Sequence, residues 1–306
     1  MAQKDVKSRI GSVKNIQKIT RAMEMVAAAR LRRAEQRIEA LRPYASAIRR
    51  MTRQAAEAAQ NVPNLPILNE HESENVVGLL LVTGDRGLAG AFNSQIVRAG
   101  VRIAAEHEGE GRSLAWYASG RRGTSSITFR GYEVAGSYTG FTDRPSYGDA
   151  RDIASDLVAA YVDGKVDRVE IVYDQYVSPL TQHVTRETLL PLQQATILED
   201  SEGLGGRAAG EDEEEQEGGK HALTEYEPDP EDILERLVPA YVEISLFRAL
   251  LESTASEHGA RMTAMRNAST NAGDIIKDLT LQMNRERQAE ITQEILEVVS
   301  GAEGLS

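Results

Sequence analysis

The stretch that decides the fold is KITRAMEMVAAARLRRAEQR, residues 18–37, in which strong helix formers follow one another without a proline or a glycine. Around it, apolar residues advance in alternating steps of three and four, and a mean step of about 3.5 is typical of a coiled-coil seam. We predict one long helix over residues 1–60, bent or locally broken at Pro43. The seam expected on it comprises Ile16, Ile19, Met23, Val26, Ala34, Ile38, Leu41, Ala45 and Ile48.

The C-terminal part, residues 231–306, shows the same spacing. Its expected seam comprises Leu237, Tyr241, Ile244, Phe247, Leu251, Thr254, His258, Met262 and Met265, and then Ile291, Ile295 and Val298. Two such segments at opposite ends of the chain predict a long antiparallel coiled coil built from the N- and C-terminal helices. At about 60 residues each, these helices would span on the order of 90 Å, a length suited to reaching or to transmitting force. Small and polar residues around 253–258 and 267–271 predict a seam that is also held from outside by a sleeve.

Composition narrows the class of protein. The chain has 306 residues, no cysteine and five histidines that lie far apart, so a disulfide framework is excluded and a metal site is improbable. The longest apolar run, Val76–Val82, is too short to cross a bilayer, and the opening residues MAQKDVKSRI lead into a charged helix, without an apolar signal segment. We interpret the chain as intracellular, with no direct membrane insertion.

Charge is distributed unevenly along the chain. Residues 1–60 carry 14 Lys and Arg against 5 Asp and Glu, whereas residues 199–235 carry 2 against 15. The basic helix could contact nucleic acid, an anionic membrane or an acidic protein, although a solvated coiled-coil exterior is its ordinary role. It lacks the aromatic residues expected for nucleic-acid or membrane contact. The acidic, glycine-rich insert at 199–230, and 203–219 above all, is predicted to be a disordered or surface loop.

The middle of the chain alternates strands and helices. A linker at 61–75 precedes a predicted α/β domain at 76–198. Strands are expected at 76–83, 113–119, 166–177 and 183–190, and helices at 93–107 and 148–162. This alternation predicts a Rossmann-like domain with a small, largely parallel sheet, so the fold class is α/β with long terminal helices.

The turn TGDRGLAG, residues 83–90, joins the first strand to its helix, where a phosphate cradle would lie. Its glycines have neither the GxGxxG nor the GK[ST] pattern, and a tight turn that needs positive φ explains them better than a nucleotide site. Asp85 and Arg86 could be a catalytic carboxylate and its cation, or a pair that stabilises the turn. No second carboxylate, histidine or nucleophile is linked to them by a motif.

Several blocks together resemble the gamma subunit of F-type ATP synthase. They are residues 18–37, RPYA at 42–45, TGDRGLAGAFN at 83–93, YEPDPE at 226–231, SEHGARMTAMRNASTNAGDIIKDL at 256–279 and NRERQAEITQEILEVVSGA at 284–302. They occur in the order of that family and cover both ends and the middle of the chain. GLAGAFN departs from the common GLCGGLN, and the acidic stretch at 203–219 is longer than in most relatives.

The resemblance implies a central rotor shaft. Its terminal helices would turn inside a hexamer of alternating alpha and beta subunits, while the α/β domain contacts the epsilon subunit and the ring of c subunits. Proton flow would drive the rotation that changes the catalytic sites of beta, and the chain would help to regulate ATPase activity and proton flow. The resemblance further implies a non-catalytic chain without a cofactor or bound nucleotide, peripheral to the cytoplasmic face of the cell membrane.

By family motif, Met23, Arg287 and Gln288 fall where the shaft meets the beta subunits. An arginine can form two parallel hydrogen bonds with a carboxylate, which suits a basic shaft facing acidic loops. The ordinary role of Arg287 is instead to pair with Glu290 or Glu294 of its own helix. Two other functions stay open at this point: a coiled-coil adaptor or tether that carries an α/β domain, and an α/β nucleotide-binding enzyme.

Overall fold

The computed structural model describes residues 3–58, 65–192 and 230–303. They divide into two compact units. The domain unit comprises Arg30–Ala260, and the terminal unit combines Met1–Ala29 with Arg261–Ser306. The predicted insert at 199–229 and its acidic loop at 203–219 lie outside the described residues, as do the first residues of the predicted linker.

Ten helices and strands make up the regular structure of the described residues. In chain order they are α1 (Gln3–Ala58), β1 (Val76–Val82), α2 (Phe92–Gly109), β2 (Ser113–Ser119), α3 (Arg121–Phe129), β3 (Val134–Tyr138), α4 (Tyr147–Val162), β4 (Arg168–Ser178), β5 (Thr181–Leu190) and α5 (Pro230–Glu303). A short 3-10 turn, Pro66–Leu68, precedes β1 and buries Ile67.

The sheet has the order β3-β2-β1-β4-β5, with β5 alone antiparallel to its neighbour. Alternate residues of β1 face opposite layers, because side chains in a strand point to the two faces in turn. Leu79 and Leu81 pack with α2 and α3, whereas Leu80 and Val82 pack with α4 and with the parts of α1 and α5 in the domain unit. The predicted α/β fold class with a largely parallel sheet is confirmed.

One helix and one strand of the domain have no counterpart in the sequence prediction. α3 has the sequence RRGTSSITF and buries only Gly123 and Ile127, so its apolar periodicity is too weak to reveal it. β3 has the sequence VAGSY and lies at the sheet edge, where no residue needs to be fully buried. Pro43 lies inside α1, which continues through it, contrary to the expected local break. Ile48 and Ala55 beyond it belong to the core, and their packing holds the helix together.

In the terminal unit, α1 and α5 run antiparallel. The side-chain amide of Gln17 donates to the carbonyl oxygen of Ser269 (3.3 Å), and Arg266 Nε donates to Glu24 Oε1 (2.8 Å). Gly273 lies so close to Gln17 that a Cβ there would stand 3.0 Å from the amide nitrogen. Small residues on α5 therefore allow close approach of the two helices, as the predicted antiparallel pair requires.

The first part of the expected N-terminal seam lies on the wrong face of α1, whereas Ala34 and Ile48 further along the seam are buried. Ile16, Ile19 and Val26 are each more than half exposed in the chain alone, and Met23 is half-buried. The buried and half-buried positions also repeat in steps of four and three: Val6, Ile10, Val13, Gln17, Thr20, Glu24 and Ala27. Spacing gave the correct period, but the largest apolar residues point away from the helix pair.

Candidate functional site

In α/β domains, ligands bind beyond the carboxyl ends of the strands where the strand order reverses, here between β1 and β4. The turn TGDRGLAG follows β1 at this edge. Of its glycines, only Gly90 has a positive φ (57°), and the non-glycine Leu88 adopts the same left-handed conformation (φ 63°). The expected positive φ is therefore found at one of the three glycines of the turn.

The crevice at this edge, which we call the α5 crevice, is filled by residues 253–257 of α5. Three side-chain hydroxyls of the helix donate to backbone carbonyl oxygens around it: Ser253 to Val82 (3.3 Å), Thr254 to Thr142 (3.0 Å) and Ser256 to Asp174 (2.9 Å). All three serine and threonine side chains are buried. Ser253, Thr254 and Ser256, part of the first of the two stretches that suggested an outer sleeve, thus pack into the chain's own domain. The second stretch, 267–271, lies in the terminal unit and is exposed or half-buried.

Little space remains in the α5 crevice. A Cβ on Gly84 would stand 2.7 Å from the carboxyl group of Glu257, so the turn and the helix are in close contact. The cavity that remains beside them, between β1, β2 and α5, has a volume of about 10 Å³, room for one water molecule at most. A nucleotide at the TGDRGLAG turn would have to displace the helix.

Asp85 connects three loops of the domain. Its carboxylate accepts hydrogen bonds from the backbone N–H of Arg121 (3.1 Å) and Gly140 (2.8 Å), and from the hydroxyl of Thr142 (3.0 Å). Burial opposes its charge, but the hydrogen bonds from these partners hold the pKa of Asp85 below its usual value. Arg86 pairs with Asp143 (3.1 Å) and not with Asp85. Asp85 is therefore a structural acceptor, and the suggested catalytic pair does not form.

Arg248 lies on the buried face of α5 and bonds the helix to the sheet. Its guanidinium donates to the hydroxyl of Tyr173 on β4 (2.9 Å), to Glu187 on β5 (2.6 Å) and to Glu252 one helical turn on (3.3 Å). The Arg248 side chain is only 7% exposed. Burial disfavours its charge, yet Glu187, Tyr173 and Glu252 together hold the pKa of Arg248 above its usual value. Removing this one cation would leave two carboxylates without their buried partner.

Asp174 lies beneath the same helix. Its side chain is 2% exposed, and its Oδ1 has no hydrogen-bond partner among the described residues. Burial raises the pKa of Asp174 to about 6, against a smaller opposing effect of His183. Neither Arg248 nor Asp174 was predicted from the sequence as a functional or buried charged residue. The one available signal was the run of charged and hydroxyl residues on a helix whose seam should be apolar.

The three residues predicted as partner contacts all lie in the terminal unit. Arg287 and Gln288 are exposed on α5, and Met23 is half-buried on α1. Among the residues that the structure describes, Arg287 forms no ion pair with Glu290 or Glu294. From 287 to 298 every side chain is exposed, including those of Ile291, Ile295, Leu296 and Val298 (48–72%). A run of exposed apolar residues on one helix is typical of a protein interface.

No helix in the described ranges combines the length and the apolar character needed to span a membrane.

Known proteins match this chain over nearly its whole length. A family model described as ATP synthase matches residues 2–305. The chain is 42% identical to the ATP synthase gamma chain of Rubrobacter xylanophilus, covering 99% of this chain and 98% of the relative. It is 41% identical to that of Streptomyces avermitilis, with coverages of 98% and 95%.

Solved structures show the same fold at lower identity. A chain of the Euglena gracilis mitochondrial ATP synthase matches with a TM-score of 0.64 at 17% identity, covering 99% of this chain and 94% of that one. A chain of the Tetrahymena thermophila mitochondrial ATP synthase central stalk and c-ring matches with a TM-score of 0.58 at 24% identity, with coverages of 82% and 99%. With two terminal helices and a Rossmann-like domain in common, and about 40% identity to curated relatives, this chain belongs to the ATP synthase gamma chain family.

Proposed function

We propose that the chain is the central rotor shaft of an F-type ATP synthase and couples proton flow through the membrane sector to ATP synthesis or hydrolysis. Its terminal helices turn inside a hexamer of alpha and beta subunits, and its α/β domain contacts the epsilon subunit and the c-ring. The complex places it at the cytoplasmic face of the cell membrane. The observation that carries this proposal is the exposed apolar run at 287–298, which gives the chain a surface for surrounding subunits.

The chain itself is non-catalytic in this proposal. The α5 crevice, where an α/β enzyme would bind its ligand, is occupied by Ser253, Thr254 and Ser256 of the same chain. Asp85, the candidate catalytic carboxylate from the sequence, accepts hydrogen bonds from Arg121 at the start of α3 and from Gly140 and Thr142 in the loop before α4. Catalysis therefore belongs to the beta subunits, and this chain changes their affinity by its rotation.

We assign the contacts that transmit torque to Met23, Arg287 and Gln288. Arg287 and Gln288 are adjacent on α5, so they lie about 100° apart around the helix and can engage a broad surface together. Arg287 offers a planar fork for a carboxylate, and Gln288 offers a donor and an acceptor. Both side chains are exposed, and within the described part of α5 Arg287 forms no ion pair, so contact with another subunit does not have to break one.

The α5 crevice has a mechanical role in this proposal. Torque that enters through the α/β domain must pass into α5, and a helix held only by apolar contacts could slip along the sheet. The buried hydroxyls and Arg248 give the joint directional bonds to β1, β4 and β5. Directional bonds fix both the rotation and the register of the helix relative to the sheet.

Affinity capture tests the proposal against the adaptor alternative. Capture of the tagged full-length chain from its native membranes should bring down alpha and beta subunits, each at roughly three copies per chain, as expected for a single shaft in a closed ring. Equimolar recovery of one partner, or recovery without alpha and beta, would contradict the rotor role. Calorimetric titration of the full chain with ATP tests the enzyme alternative, for which saturable binding at the TGDRGLAG turn, abolished by Asp85→Asn, would be required.

A further inference from the structure

A second cavity of the domain unit lies between α1, the loop before α4, and α5, and it borders the α5 crevice at Thr254. It has a volume of about 520 Å³, and four arginines line it: Arg30, Arg33, Arg37 and Arg144. We call it the arginine cavity. Asp143 is the one acidic residue in its lining, so positive charge predominates at this surface.

The carboxylate of Asp143 is already engaged. It accepts from Arg30 at 2.8 Å and also pairs with Arg86 at 3.1 Å, so two cations share one carboxylate. Within the described part of the chain, Arg33 and Arg144 have no acidic partner. Glu35, the nearest acidic residue along α1, accepts instead from the hydroxyl of Tyr176. The arginine cavity therefore has an excess of guanidinium groups that no carboxylate of the described chain neutralises.

Arg37 is held in place within this excess. Its Nη2 donates to the carbonyl oxygen of Pro145, which fixes the guanidinium at the cavity wall. Burial and repulsion from Arg144 lower the pKa of Arg37, a sign that the two cations lie near each other. An anion bound between them would replace repulsion by two charge-assisted hydrogen-bonding partners.

An apolar groove adjoins the arginine cavity and shares Arg37 and Ala40 with it. It has a volume of about 490 Å³, and its other lining residues are Leu41, Tyr44, Tyr147, Phe247 and Leu251. Tyr147 and Phe247 pack edge to face at 5.8 Å, and Tyr44 is half exposed above them. A ring could stack on these aromatic side chains while an anionic group reaches the arginines.

We propose that the arginine cavity and this groove form one binding site for a small amphipathic anion, a molecule with a phosphate or carboxylate group and an aromatic or aliphatic body. The arginines bind the anionic group, and Tyr44, Tyr147 and Phe247 cover the body. The site borders the α5 crevice at Thr254 but is a different cavity, and it goes beyond the rotor role, which capture of alpha and beta tests independently.

The test uses 1-naphthyl phosphate, whose fluorescence reports binding, and inorganic phosphate as a competitor, both with the full-length chain. Arg33→Gln combined with Arg144→Gln should weaken naphthyl phosphate binding by about tenfold or more, because two charge-assisted contacts are lost. Arg98→Gln combined with Arg102→Gln changes the net charge equally, on exposed positions of α2, and should leave binding unchanged. Tyr44→Ser should weaken binding of naphthyl phosphate but not of inorganic phosphate.

Benzoate and 1-naphthoate distinguish a preference for carboxylate from one for phosphate. Circular dichroism of each variant checks that the helices are intact. The proposal is overturned if naphthyl phosphate does not bind saturably at millimolar concentration, or if the α2 double variant loses as much affinity as the cavity double variant. It is also overturned if Tyr44→Ser affects both ligands equally.

Discussion

Two stretches of the same helix differ in what surrounds them. From 248 to 259, α5 is buried on every side, and its arginine, serine and threonine side chains bond to the sheet and its loops. From 287 to 298, the helix is exposed on every side and displays isoleucine, leucine and valine. Buried hydroxyl and charged side chains on the first stretch, and exposed isoleucine, leucine and valine side chains on the second, are the reverse of what an ordinary globular helix shows.

The reversal separates two kinds of attachment. The inner stretch forms directional hydrogen bonds that fix the helix relative to its own domain. The outer stretch offers apolar contacts, which favour burial without fixing one arrangement and so suit a surface that changes neighbours. In a rotor, the first stretch must not slip and the second must slide past several partners. The predictions below test each side of this contrast.

The largest loss of stability is expected at Arg248, the charged residue of the inner stretch. Arg248→Met keeps most of the side-chain volume but leaves Glu187 and Glu252 without their buried cation, so it should reduce the free energy of unfolding by about 3–5 kcal/mol. Urea unfolding of the full chain measures it. Arg285→Met, at an exposed position of the same helix, is the matched control and should change stability little. Equal stability of the two variants would mean that the cluster does not hold the helix.

A pH effect should follow from Asp174. Its pKa is raised in the folded chain, from 3.8 to about 6, so the folded state binds the proton more tightly and loses stability as the pH rises through this window. Asp174→Asn removes that loss. The variant should equal the parent near pH 4 and exceed it by up to about 3 kcal/mol at pH 7. A difference in stability that stays constant between pH 4 and pH 7 would show that Asp174 does not titrate in this way.

A smaller effect is expected from one hydroxyl of the inner stretch. Ser256→Ala leaves the carbonyl oxygen of Asp174 without its 2.9 Å donor and should cost about 1 kcal/mol of unfolding free energy. Ser155→Ala, at an exposed position on α4, should cost much less. Alanine has the higher helix propensity, so an equal loss from Ser155→Ala would show that the loss at Ser256 does not come from its bond to β4.

The smallest effect on stability, combined with a clear effect on function, is expected at the outer stretch. Arg287→Ala with Gln288→Ala removes exposed side chains and should change unfolding free energy by a few tenths of a kcal/mol. The same double variant should slow ATP turnover in the assembled complex, because a torque contact is lost. A complex that assembles normally and turns over ATP at the parental rate would remove these residues as torque contacts and leave the rotor role unaffected.

Hydrophobic pattern predicted the long helices and the central strands well. The run VVGLLLV at 76–82 is buried on both faces of the sheet, and no other element fits such a run. The same pattern chose the wrong face over the first part of α1, because Ile16, Ile19 and Val26 are apolar but exposed in the isolated chain. Pattern reports which residues avoid water, and it does not distinguish burial within the chain from burial against another subunit.

The contacts that fill the α5 crevice could not be predicted from the sequence, for a different reason. Ser253 bonds to a residue 171 positions away in the sequence, and Ser256 to one 82 positions away. Arg248 bonds to Glu187, 61 positions away. No local spacing encodes such partners. The turn at 83–90 marked the position of the crevice, but the helix that fills it comes from the other end of the sequence.

Because residues 253–257 of α5 fill the crevice, they occupy the position of a ligand while being part of the same chain as the Rossmann-like domain. A ligand on the same chain cannot diffuse away, and its effective concentration near the site stays high at any protein concentration. Residues 253–257 therefore keep their place in the crevice without competing with a free molecule. The attachment of α5 to the sheet is independent of protein concentration, which suits a joint that must carry load without slipping.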